Sequence, residues 1–112
     1  MAKTDLPKVE TRLYINGKWL EGSEGTFEVV NPATGKILAN VQKGGESETK
    51  KAIQAANQAF ESWSKTSPAQ RAKLMNKMAD LVEKDSERLA TIMTMEQGRP
   101  IAQATAEIKT NV

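Results

Sequence analysis

An α+β fold with short strands first and helices after is what this 112-residue sequence predicts, and three observations carry it. An Asn-Gly pair sits between two β-prone triplets near the start. After Gly44-Gly45 the spacing of apolar residues changes from alternation to every third or fourth position. Proline then stands twice at a helix start, and glycine once just past a helix end.

Residues 1–12 are polar and irregular around Pro7 and read as a flexible N-terminal arm. Leu13-Tyr14-Ile15 and Lys18-Trp19-Leu20 flank Asn16-Gly17, two residues that take positive φ cheaply, so a hairpin with a type I′ turn is expected. Phe27-Glu28-Val29-Val30 is a third strand, stopped by the turn Asn31-Pro32-Ala33-Thr34-Gly35, and Lys36 to Val41 alternates well enough for a fourth. Residues 13–42 thus form short β-strands and a hairpin.

From position 46 onward the helical period rules. Ile53, Ala56, Phe60 and Trp63 make one apolar stripe over 47–63, a helix that needs a wall to lie on. Ser67-Pro68-Ala69-Gln70 has the form of a capping box opening a second helix, which should carry Leu74, Met78, Leu81 and Val82 inward. Asp85-Ser86 caps a third through Leu89, Ile92 and Met93, ended by Gly98. Pro100 opens a last stretch with Ile101, Ala104 and Ile108 on one face and no stop signal after it. That missing stop, with so few strands to close a sheet, predicts an incomplete domain.

Composition narrows the chemistry. With 38% apolar and 27% charged residues the chain is of ordinary globular usage, and its sixteen basic and fourteen acidic residues are interspersed, which predicts no nucleic-acid binding. Lys50-Lys51, Arg71, Lys73 and Lys77 read as solvated helix faces. Having neither Cys nor His, the chain lacks a thiolate nucleophile, an imidazole base, a disulfide and the usual zinc ligands. No apolar run spans a bilayer and no signal peptide opens the chain, so no membrane partner and a cytoplasmic location are expected. Met75, Met78, Met93 and Met95 read as core filler, and Trp19, Phe27, Phe60 and Trp63 as packing anchors. No phosphate-cradling or dinucleotide fingerprint occurs.

Four stretches in order, Tyr14-Ile15-Asn16-Gly17-Lys18-Trp19, Val30-Asn31-Pro32-Ala33-Thr34-Gly35, the segment Ala52-Ile53-Gln54-Ala55-Ala56-Asn57-Gln58-Ala59-Phe60, and Glu96-Gln97-Gly98-Arg99-Pro100, resemble the N-terminal portion of the aldehyde dehydrogenases. Met93-Thr94-Met95 running into Glu96 to Ala102, with Glu107-Ile108, is most similar to the succinate-semialdehyde dehydrogenase branch, although Arg99 stands where many relatives carry lysine. The resemblance covers residues 13–112, about the first quarter of such an enzyme.

It implies an α/β, aldehyde dehydrogenase-like parent fold, in which residues 46–112 are the helical part of an incomplete NAD(P)-binding domain. In the intact homo-oligomeric enzyme a cysteine thiolate attacks the aldehyde, hydride passes to NAD or NADP, and a glutamate activates water. None of those groups falls in this chain, so no catalytic or cofactor-binding residue is assigned, no cofactor is expected for the fragment, and the isolated chain is expected to be inactive. The resemblance also implies a structural monovalent cation at the Val30 carbonyl and Glu96. The expected partner is the remainder of the enzyme chain or, by self-association, another copy. The competing expectation is a non-catalytic helical interaction module offering Ile53, Phe60 and Trp63.

Overall fold

The computed structural model describes residues 5–110, in the order β1 (Leu13–Ile15), β2 (Lys18–Leu20), β3 (Thr26–Val30), β4 (Ile37–Gln42), α1 (Glu46–Trp63), α2 (Pro68–Lys84), α3 (Ser86–Gln97) and α4 (Ile101–Thr110). Short strands precede helices, as the α+β expectation has it, and element ends lie within a residue or so of those read from the sequence. β1 pairs with β2 and β3 with β4, giving two separate two-stranded sheets.

The chain divides into two compact units. One holds residues 10–29 and 39–67. Its hairpin pairs Leu13 with Leu20, Tyr14 with Trp19 and Ile15 with Lys18. Asn16 and Gly17 have φ of 51° and 75°, both positive as a type I′ turn demands, so the turn's own twist suits the strands it joins. The Tyr14 and Trp19 rings stand 4.7 Å apart across the strands, a pairing worth about 0.5–1 kcal/mol.

Within this unit α1 packs on β1, and a buried carboxylate sets its start. Glu48, only 7% exposed, is the third residue after Gly45. Its Oε2 accepts the Ser23 hydroxyl at 2.7 Å and the Gly45 N–H at 2.9 Å. One acid therefore satisfies a free amide at the helix start and ties the loop before β3 to it. The Ser23 hydrogen bond first, and then the Gly45 amide, hold the Glu48 carboxyl down at about 2. Around it, Lys43 N–H donates to the Gly25 carbonyl at 2.8 Å, Glu24 N–H to the Lys43 carbonyl at 3.2 Å, and Gly22 N–H to Gln42 Oε1 at 2.9 Å.

The outer face of α1 is another matter. Ile53 and Phe60 are 63% and 64% exposed, and Trp63 is exposed beside them, so the stripe predicted to need a wall has none among the described residues. A three-residue strand meets too little of an 18-residue helix to cover more than one side of it. Trp19 and Phe27 are also exposed, contrary to their reading as packing anchors.

The other unit holds, of the described residues, 5–9, 30–38 and 68–110. Its core is where α3 and α4 meet: Ala90 and Ala104 have no exposed surface, Ile108 is buried beside them, and Val82, Leu89 and Met93 pack around. Alanines let the two helix backbones approach, and burying Ile108 contributes about 2 kcal/mol. Helix α2 touches this pair through a narrower face. Val82 turns inward as expected, but Leu74, Met78 and Leu81 do not, and Met75 is likewise exposed rather than core filler.

At the start of α3, Asp85 makes no capping bond with its side chain. Arg88, three residues on, takes both carboxylate oxygens through Nε at 2.9 and 3.0 Å and adds a further short contact from Nη2. A charged fork outcompetes a neutral amide, and that hydrogen bond holds the Asp85 carboxyl below its ordinary value. Arg88 Nη1 also donates to the Lys8 carbonyl at 3.2 Å, fixing part of the leading segment on α3.

At the other end Gly98 turns left-handed with φ 71°, and its N–H donates to the Thr94 carbonyl at 2.9 Å. A Cβ built there would lie 3.0 Å from Pro32 Cγ. Gly98→Ala is therefore expected to lower unfolding free energy by about 1–2 kcal/mol, read from the urea midpoint, with Gly98→Asn losing less because asparagine tolerates this backbone. For Glu48 the folded carboxyl lies below the free value of 4.5. Its stabilising effect is complete above that value and disappears as pH falls toward about 2. Glu48→Gln should be markedly less stable than the parent at neutral pH, and the gap should narrow in that acid window; a constant gap would show that the charge is irrelevant.

Candidate functional site

The two turn motifs singled out in the sequence meet in space. Asn31 organises the first: its Oδ1 accepts the Ala33 N–H at 2.9 Å, its carbonyl accepts the Gly35 N–H at 2.8 Å, and its own N–H donates to the Lys36 carbonyl at 2.9 Å. The side chain thus imitates a backbone turn and presents Pro32. Pro32 lies against Gly98, the left-handed residue of Glu96-Gln97-Gly98-Arg99-Pro100. The following Arg99 reaches forward to pair with Glu107 on α4.

Val30 ends β3 immediately before that turn, and Glu96 lies exposed in the last turn of α3. A carbonyl and a carboxylate are hard oxygen donors of the type a monovalent cation accepts, so the residues present suit the group in kind. Among the described residues no three His, Cys, Asp or Glu side chains gather as a metal-binding group.

Two open clefts carry polar groups. One, of about 350 Å³, lies beside the start of α3 and is lined by Pro7, Lys84, Asp85, Glu87, Arg88 and Thr91. The other, of about 290 Å³, lies between the β1–β2 hairpin and α1, with Asn16, Lys18, Lys51, Gln54 and Gln58 around an apolar floor of Ile15, Leu20 and Ala55. Neither contains a nucleophile with an activating base, because the chain has no thiol or imidazole. Glu48, the one buried carboxylate among the described residues, is held ionised far below neutrality, where it is a poor proton acceptor. Its role is to fix α1. That residue was not singled out from the sequence, although a glutamate three places after a glycine at a helix start was the available signal.

Known proteins resemble this chain over most of its length. The model of the Aldehyde dehydrogenase family matches residues 19–112. Succinate-semialdehyde dehydrogenase, mitochondrial, of Oryza sativa subsp. japonica is 45% identical over 101 residues, covering 89% of this chain and 19% of the relative. Glutarate-semialdehyde dehydrogenase of Pseudomonas putida is 38% identical over 109 residues, 96% of this chain and 23% of the relative. Among solved structures, betaine aldehyde dehydrogenase from Staphylococcus aureus in complex with NAD+ superposes with a TM-score of 0.87 at 30% identity, over 92% of this chain and 21% of that one. The chain spans about a fifth of the length of the relatives it matches. Ordered motifs, helix boundaries and superposition agree, and the chain belongs to the aldehyde dehydrogenase family.

Proposed function

We propose that this chain is the N-terminal portion of an NAD(P)-dependent aldehyde dehydrogenase that oxidises a small carboxylated aldehyde, of the succinate-semialdehyde kind, to the acid. By itself the chain is inactive. The observation that carries this reading is the pair of uncovered apolar faces, Ile53 and Phe60 on α1 and Leu74, Met78 and Leu81 on α2, in a chain that matches about a fifth of its relatives. Such faces cost free energy in water and gain it against a larger sheet. Its relatives' names support the substrate class, since succinate and glutarate semialdehydes each carry a carboxylate beyond the aldehyde.

In this reading the nicotinamide supplies hydride acceptance, and the cysteine nucleophile and its base come from the rest of the enzyme, because this chain contains no cysteine. The residues here position rather than react. Glu48 sets the entry of α1, Pro32 and Gly98 lock the turn onto α3, and the Val30 carbonyl with Glu96 serves a structural monovalent cation. The intact enzyme is a cytoplasmic homo-oligomer.

The reading is tested by complementation. The chain is co-expressed with the Pseudomonas putida relative lacking its matching N-terminal part, and reduction of NAD+ or NADP+ is followed with succinate or glutarate semialdehyde. Neither piece alone should turn over, and together they should recover activity that Phe60→Asp diminishes. A chain that unfolds cooperatively as a monomer by near-UV circular dichroism and complements nothing would instead favour the interaction module.

A further inference from the structure

We propose that Asn16 is a site of spontaneous modification in the folded protein, losing its side-chain amide to become aspartate and isoaspartate through a cyclic imide. The reaction needs an unshielded backbone nitrogen next in chain to the asparagine, and the hairpin tip leaves this one open. Both Asn16 and Gly17 are exposed. Gly17 has no side chain to shield its nitrogen, and the nearest atom to a Cβ built there is the Tyr14 hydroxyl at 4.0 Å. Among the described residues the Gly17 N–H donates no hydrogen bond.

The remaining described asparagines are placed otherwise. Asn31 precedes Pro32, whose nitrogen carries no proton to lose. Asn40 is followed by β-branched Val41 inside β4. Asn57 and Asn76 lie within α1 and α2, where the next amide is committed to the helix ladder.

The chemistry balances without an oxidant. Hydroxide removes the Gly17 amide proton, the nitrogen attacks Asn16 Cγ, a new C–N bond forms, and the former side-chain nitrogen takes up a proton and leaves as ammonia. Water then adds to either imide carbonyl and opens the ring, giving aspartate or, with one extra methylene in the main chain, isoaspartate. The surroundings favour an anionic product: the cleft bordered by Asn16 also holds Lys18 and Lys51, and no carboxylate lines it. An isoaspartate cannot close a two-residue type I′ turn, so the Ile15–Lys18 pairing is lost with it.

The full chain is incubated in mildly alkaline buffer at body temperature, folded and in urea, then digested with trypsin. The peptide of residues 13–18 is followed by mass spectrometry and by labelling with an isoaspartyl-directed methyltransferase. The expected result is a gain of one mass unit and methyl acceptance at position 16 in the folded chain, an order of magnitude faster than at Asn57 or Asn76 and within a few-fold of the urea sample. Protection of Asn16 until the chain unfolds, or a rate no greater than at the helical asparagines, would overturn the proposal.

Discussion

The unit built on the hairpin depends on one carboxylate kept out of water. Glu48 is buried, yet it faces no full ionic partner at close range: Lys51 stands 4.0 Å away, while the short bonds come from a hydroxyl and a main-chain amide. Burying a charge is costly unless hydrogen bonds replace its hydration. Here the donors come from two separate pieces of chain, the loop after β2 and the residue before α1, so the charge is satisfied only when both are in place. Lys43 and Gly25, then Gly22 and Gln42, close the same corner with neutral bonds.

The second unit is organised differently. Among its described residues there is no buried ion, and its order comes from close helix approach at Ala90 and Ala104, sealed by Ile108. Its surface ion pairs, Asp85 with Arg88 and Arg99 with Glu107, are partly solvated and contribute little to stability. Their value is geometric: each fixes where one element hands over to the next.

Element order was legible because it rests on local chemistry. Asn16-Gly17, Pro68 and Gly98 each act through their own backbone preferences, so their effect can be read without knowing the neighbours. Burial is a property of what lies opposite, and there the reading of Leu74, Met78, Leu81, Phe60 and Trp63 departed from the structure: the periodicity that marks an apolar face is present whether or not a partner covers it. Asp85 failed as a cap for a related reason, since a competing guanidinium one turn away is invisible to a motif of two residues. The Pro32–Gly98 contact joins segments remote in sequence, and only the family resemblance brought those two motifs into one frame. Glu48 leaves a weaker mark in the sequence, because the glycine before α1 has no side-chain oxygen to complete the reciprocal cap that a serine or threonine would make.

The bond from Arg88 to the Lys8 carbonyl bears on how this region can drift over evolutionary time. What the guanidinium holds is main chain, which every residue type provides, so the anchor itself does not read the identity of the side chain at position 8. Substitutions there leave the acceptor intact. Related chains built on the same anchor should therefore vary freely in composition at that point, because the contact draws on an atom that the genetic code does not alter.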